Sequence, residues 1–169
     1  RLAWRLNPAV DAVLDALGGD GVGLAPWSEE HNKSAARMQT MLCCLDEIAT
    51  ELAARDIRVV ALKNAGIARG IPPCPACCPM GDMDLLVSKS RFIDAHRVLL
   101  ELGYEHSSRA EVEPANLEEN LLSGGAEYKK QADDEEVWVE LQWRPIAGRW
   151  IRKDQEPDGE DLLERSVPI

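Results

Sequence analysis

The sequence predicts an α+β fold, a mixed β-sheet packed against helices with an N-terminal helical segment. Three observations carry this expectation. Before residue 57, apolar residues recur at three- and four-residue steps, the period of a helix with one buried face. Short stretches rich in β-branched or apolar residues at 57–62, 83–87 and 137–143 are too short for stable helices and suit strands. The second run leads directly into a helical pattern, whereas the last follows another strand-like run, so a strand–helix unit and a hairpin share one core.

Asn7-Pro8 followed by Val10, Val13, Leu14 and Leu17 reads as a short helix, since Asn caps, Pro suits a first turn and Gly18-Gly19 ends it. A Gly-rich link over residues 18–23 follows. A second helix starts near Ser28, with Met38, Met41, Leu42, Leu45, Ile48, Ala49 and Leu52 forming its apolar stripe. Residues 57–62 form a buried strand, Lys63 to Gly66 turn the chain, and a short helix covers residues 65–70. Pro72-Pro73 through Pro79 is a rigid loop bearing Cys74, Cys77 and Cys78. Met83 to Val87 is a second strand. Arg91 to Leu102 is a helix that buries Phe92, Ala95, Val98, Leu99 and Leu102, and Gly103 stops it. The acidic stretch from Glu111 to Glu119 belongs on the surface as helix or loop. Ala126–Gln131 and Val137–Trp143 form a hairpin across the five-residue turn 132–136. Leu162-Leu163 adds a short helix at most.

At 169 residues the chain suits one domain with a real core. Residues 1–56 are read as the helical segment packing on the core, 57–150 as the core, and 151–169 as a C-terminal tail or the start of a further region. Thirty acidic against 19 basic side chains give a formal charge of −11, which repels a phosphodiester backbone and disfavours nucleic acid as a partner. No apolar run approaches the roughly 20 residues that span a bilayer, and the N-terminus lacks the layout of a signal peptide. A cytoplasmic protein without membrane association is expected. The five cysteines are odd in number and poorly spaced for a disulfide framework, so thiols are expected. Cys74-x-x-Cys77-Cys78 is half a zinc knuckle without a second pair. His31, His96 and His106 have no ligand spacing, and His96 reads as a surface or packing residue.

The chemistry concentrates at Gly81-Asp82-Met83-Asp84. Asp82 and Asp84 stand at i and i+2 on entry to a strand, so their side chains share a face roughly 7 Å apart along the backbone. The apolar Leu85-Leu86-Val87 beyond them demands burial, which puts the carboxylates at the exposed lip of a buried strand. Paired carboxylates suit Mg²⁺, a hard ion that takes oxygen ligands, and Gly81 leaves room for a phosphate to approach the backbone. Glu140 alternates with Val139 and Leu141, on the face of Trp138 and Gln142. If its strand pairs beside the aspartates, Glu140 is a third ligand or the base that orients an attacking hydroxyl.

Val59-Val60-Ala61-Leu62-Lys63, the segment Pro79 to Val87, Leu102-Gly103-Tyr104 and Val139-Glu140-Leu141-Gln142-Trp143 together resemble the nucleotidyltransferase superfamily with a DNA-polymerase-β-like palm, within its uncharacterised nucleotidyltransferase group. They cover about half the chain. The resemblance implies a nucleotidyltransferase-like sheet. It also implies that Asp82 and Asp84 hold two Mg²⁺ ions, or Mn²⁺ in their place, with Glu140 as the third acid of the metal site, and that Lys63 lies near the nucleotide phosphates, as Gly81 does by the reading above. The implied reaction is transfer of a nucleoside monophosphate from an NTP, ATP foremost, to a small-molecule, peptide or protein acceptor, with release of pyrophosphate. The sequence departs from the family pattern at Asn64 (usually Gly), Cys78 (Arg) and Gln142 (often His). A binding or antitoxin-like protein on the same fold is the alternative. Lys63 is itself a point charge suited to a triphosphate; Lys129 and Lys130 alternate across their strand, so one of them faces the site, and Arg144 is a further candidate.

Overall fold

The computed structural model describes residues 25–68, 75–108, 116–146 and 155–167. The expected helix at residues 8–17, the link after it and Cys74 lie outside the described residues. In chain order the elements are α1 (Ala25–Ala53), β1 (Val59–Leu62), α2 (Lys63–Ile67), a 3₁₀ turn (Pro75–Cys77), β2 (Met83–Val87), a second 3₁₀ turn (Lys89–Arg91), α3 (Phe92–Glu101), β3 (Glu105–Ser107), α4 (Leu117–Ser123), β4 (Gly125–Ala132), β5 (Glu135–Gln142) and α5 (Gly159–Arg165). The α+β expectation holds. The strands form one mixed sheet in the order β1-β2-β5-β4-β3, in which β2 and β5 run parallel and the other neighbours antiparallel.

Alternation divides this sheet into two unlike faces. One presents Met83, Leu85, Val87, Val137, Val139, Leu141, Ala126 and Tyr128 to a single core with α1 and α3. The α1 stripe sits there as its spacing requires, with Met38, Met41, Leu42, Leu45, Ile48 and Leu52 buried. Each such side chain contributes on the order of 1.5–3 kcal/mol of transfer free energy. From α3 come Phe92, Ala95, Val98 and Leu99, and Gly103, at φ 85°, takes the left-handed conformation that ends the helix at little steric cost. The other face carries Asp84, Leu86, Glu140 and Gln142. Here α5 approaches Leu86, since a Cβ on Gly159 would stand 3.6 Å from its Cδ1.

Several boundaries differ from expectation, each for a local reason. α1 begins at Ala25, because Pro26 is tolerated in a first turn. The short helix begins at Lys63 rather than residue 65 and stops at Ile67. The β4–β5 connection is not a five-residue loop. Pairing continues to Ala132 and Glu135, leaving Asp133-Asp134 as a two-residue turn with Asp133 at φ 53°, the left-handed geometry that such hairpins favour and that Asp tolerates. Strand β3 went unexpected: only three residues long, it is an edge strand with no apolar run to announce it. No helix among the described residues is long and apolar enough to cross a membrane.

Candidate active site

Strand register brings the predicted residues together. Asp84 of β2 is the direct partner of Glu140 of β5, although 56 positions separate them in the sequence. On the far side of β2, Asp84 pairs with Leu62, the residue before Lys63. On the far side of β5, Glu140 pairs with Glu127 of β4. Partners in adjacent strands point to the same face, so Asp84, Glu140 and Glu127 form one row across the sheet. Asp82 lies in the bend just before β2, two residues from Asp84.

Asp84 does not sit at an exposed lip, as the sequence suggested. It is 3% exposed, because β2 is flanked on both sides by paired strands and is buried along its whole length. A buried carboxylate requires compensation. The Lys63 ammonium supplies it at 2.5 Å from Asp84 Oδ1, and the Gln142 amide Nε2 donates to the same oxygen at 3.4 Å. Burial alone would lower the Lys63 pKa, but its hydrogen bond to Asp84 and the charges of Asp84, Glu140 and Asp82 together raise it, so the ammonium is held protonated.

Glu140 is half-buried. Burial, then a hydrogen bond with Asp84 and that group's charge, push its pKa up to about 7, with Asp82 adding to the rise and Lys63 opposing it. The electrostatic coupling of Glu140 and Lys63 to Asp82 places all three predicted acids in one field.

The lysine is held by its backbone. Lys63 has φ 50°, a left-handed conformation that costs a non-glycine residue about 1–2 kcal/mol and gathers at functional sites. Gly66 lies so close to the Ala61 carbonyl that any Cβ there would clash with it, which fixes the turn. Asn64, where the family pattern has Gly, donates from Nδ2 to the Pro79 carbonyl at 2.9 Å and ties the turn to the segment leading into Gly81 and Asp82. Cys78, another departure, is buried with its thiol toward the Asn64 carbonyl. Gly81 is exposed, and a Cβ there would meet nothing within 4 Å.

Among the other cations considered, Arg144 is held by Glu156 at 2.6 Å and Lys130 by Glu47 at 3.0 Å on the opposite face. Lys129 faces the carboxylate side by alternation. The sequence reading missed Gln142 as a partner of Asp84, Asn64 as a clamp and Glu127 as the next acid in the row. Gln142 stands two residues beyond Glu140 and was therefore legible as sharing its face; Glu127 needed the two-residue turn that fixes the hairpin register. A cavity of about 510 Å³ lies elsewhere, between α1, β1 and α5, and none of these carboxylates lines it.

Among the described residues no three His, Cys, Asp or Glu side chains stand as a ready metal cage. The donor type is that of a hard divalent ion, carboxylate oxygens: Asp84 and Glu140 are register partners on one face, and the Lys63 ammonium already stands beside Asp84 Oδ1 as a cation. No curated protein and no solved structure matches the chain significantly. A family model does, over residues 5–169, and the chain therefore belongs to the family described as uncharacterised nucleotidyltransferase.

Proposed function

We propose that the protein is a Mg²⁺-dependent nucleotidyltransferase that moves a nucleoside monophosphate from an NTP to an acceptor hydroxyl. The observation that carries this reading is the register pairing of Asp84 with Glu140 under the Lys63 ammonium, on the sheet face opposite the α1–α3 core. Family membership supports the reaction class.

Asp82 and Asp84 would hold the ion through carboxylate oxygens. Bound there, it would supply Lewis-acid stabilisation of the phosphate charge and lower the pKa of the attacking group. Lys63 binds the phosphates beyond the one transferred, because its ammonium extends from the β1 side of Asp84. In-line displacement requires the acceptor opposite the departing pyrophosphate, hence over β5. There Glu140 orients the acceptor hydroxyl and takes its proton. A bond forms between the acceptor oxygen and the α-phosphorus, and the bond from that phosphorus to the bridging oxygen breaks, with its electron pair leaving on pyrophosphate. A net charge of −11 favours a small molecule, peptide or protein as acceptor over a polynucleotide.

The test is release of pyrophosphate from each of the four ribonucleoside triphosphates, labelled at the α-phosphate, with a fractionated extract as the source of acceptor. Mg²⁺-dependent release with label recovered on one acceptor is expected. Absence of release with every triphosphate, alongside tight binding of a protein partner, would favour the antitoxin-like alternative.

A further inference from the structure

Lys63 has one ammonium and two calls upon it. In the proposed reaction it binds phosphate, yet in the structure it occupies Asp84, at 2.5 Å from Oδ1. A magnesium ion on that oxygen would sit about 2.0–2.1 Å away, and ammonium and dication cannot crowd the same oxygen without strong like-charge repulsion. One must leave for the other to enter.

The surroundings decide which part can move. Asp84 cannot: its side chain is 4% exposed on a central strand held by pairing on both sides. The Lys63 backbone is also fixed, by the Gly66 approach to Ala61 and by the Asn64 bond to Pro79. The Lys63 side chain, however, is 62% exposed, and its four-carbon stem can rotate between staggered wells at small cost. The mobile element is therefore the ammonium alone, on a short tether.

Leaving is unfavourable without replacement, because Asp84 would stay buried beside Glu140 with its main counter-charge gone. A free divalent ion supplies the replacement for Asp84 but leaves the displaced ammonium only water, with the dication close by as a like charge. A triphosphate carrying its ion supplies both. We infer that Lys63 is a specificity-determining residue that keeps free divalent ions off Asp84 and admits the metal–triphosphate complex by transferring its ammonium from the carboxylate to phosphate. This inference rests on the proposed nucleotidyl-transfer site.

The experiment compares Mn²⁺ alone, followed by electron paramagnetic resonance, with Mg·ATP, followed by calorimetry, on the wild-type protein, Lys63→Met and Lys63→Gly. The glycine variant also relieves the left-handed backbone, so it retains the turn if methionine disturbs it. The expected result has opposite signs: at least tenfold tighter binding of Mn²⁺ alone in both variants and at least tenfold weaker binding of Mg·ATP. A second substitution, Asp84→Asn, should cancel the Mn²⁺ gain. If the folded variants lose Mg·ATP affinity while Mn²⁺ affinity is unchanged or lower, Lys63 is only a phosphate ligand and the inference falls, although the transferase reading stands. If no protein binds either probe, the reading of the site itself fails.

Discussion

Two polar clusters occupy opposite faces of the same sheet, and they solve the problem of burying polar groups in opposite ways. On the core face, His96 of α3 bonds through Nδ1 to the Tyr128 hydroxyl at 2.8 Å, and the Asn120 amide meets His106 Nε2 at 2.9 Å. The rings lie 5.3–5.7 Å apart. Burial, then the charges of His106 and Arg97, lower the His96 pKa, and burial lowers that of His106, so the cluster is held neutral. On the other face, Asp84 and Glu140 are pressed together and depend on a largely exposed lysine. The neutral cluster is closed by short-range partners and has nothing to exchange. The acidic one holds its counter-charge on a movable arm, the arrangement expected where a ligand is to replace it.

Substitutions in the two clusters should therefore separate binding from stability. The largest effect belongs to the acidic face: Asp84→Asn keeps the side-chain shape but removes the charge that the proposed reaction needs to hold its metal ion, and turnover should fall on the order of 10²-fold or more, with circular dichroism unchanged. Next is Tyr128→Phe, which strips the His96 ring nitrogen of its partner at a half-buried position. Unfolding by urea should register about 1–2 kcal/mol of lost stability with nucleotide affinity unaltered. A comparable loss of nucleotide affinity would couple the faces and break the contrast.

Glu140→Gln should go the other way. A carboxyl whose folded pKa is raised from 4.5 to about 7 binds its proton more tightly in the folded state, so the protein loses stability as pH rises across that interval. The variant removes this loss and should gain about 1 kcal/mol at pH 8, discounted for partial exposure, or roughly 2–4 °C in Tm, while turnover collapses. The smallest effect is on the histidines. Their folded pKa values lie below 6.5, so the stability they contribute is complete above pH 6.5 and is lost as pH falls through the folded values. His96→Gln should flatten that acid-side slope in a thermal melt series.

The same two faces measure what the sequence disclosed. Met83 to Val87 was legible to the residue, because all five positions of this central strand are buried and four of them are apolar, with Asp84 the one exception. Glu140 was placed on its face by alternation with Val139 and Leu141, and β5 does pair beside β2. Register was not legible, since it depends on turn geometry: the Asp133-Asp134 hairpin, and with it the position of Glu127, is set by two residues in a longer acidic stretch. The histidine cluster was invisible for the same reason. His96, His106, Asn120 and Tyr128 have no common spacing and meet only after β3, itself three residues long, pairs with β4. Lys63 was identified as a cation by the strand end, but its left-handed backbone and its bond to a buried aspartate are tertiary outcomes.

The central claim is that the carboxylate row under Lys63 is where a metal-bound nucleotide sits. Calorimetric titration of ATP, with and without Mg²⁺, into the wild-type protein and Asp84→Asn tests it most directly. The account predicts Mg²⁺-dependent binding to the wild-type protein and at least a tenfold loss of affinity in the variant. Equal affinity in the two proteins, or binding indifferent to Mg²⁺, would contradict it.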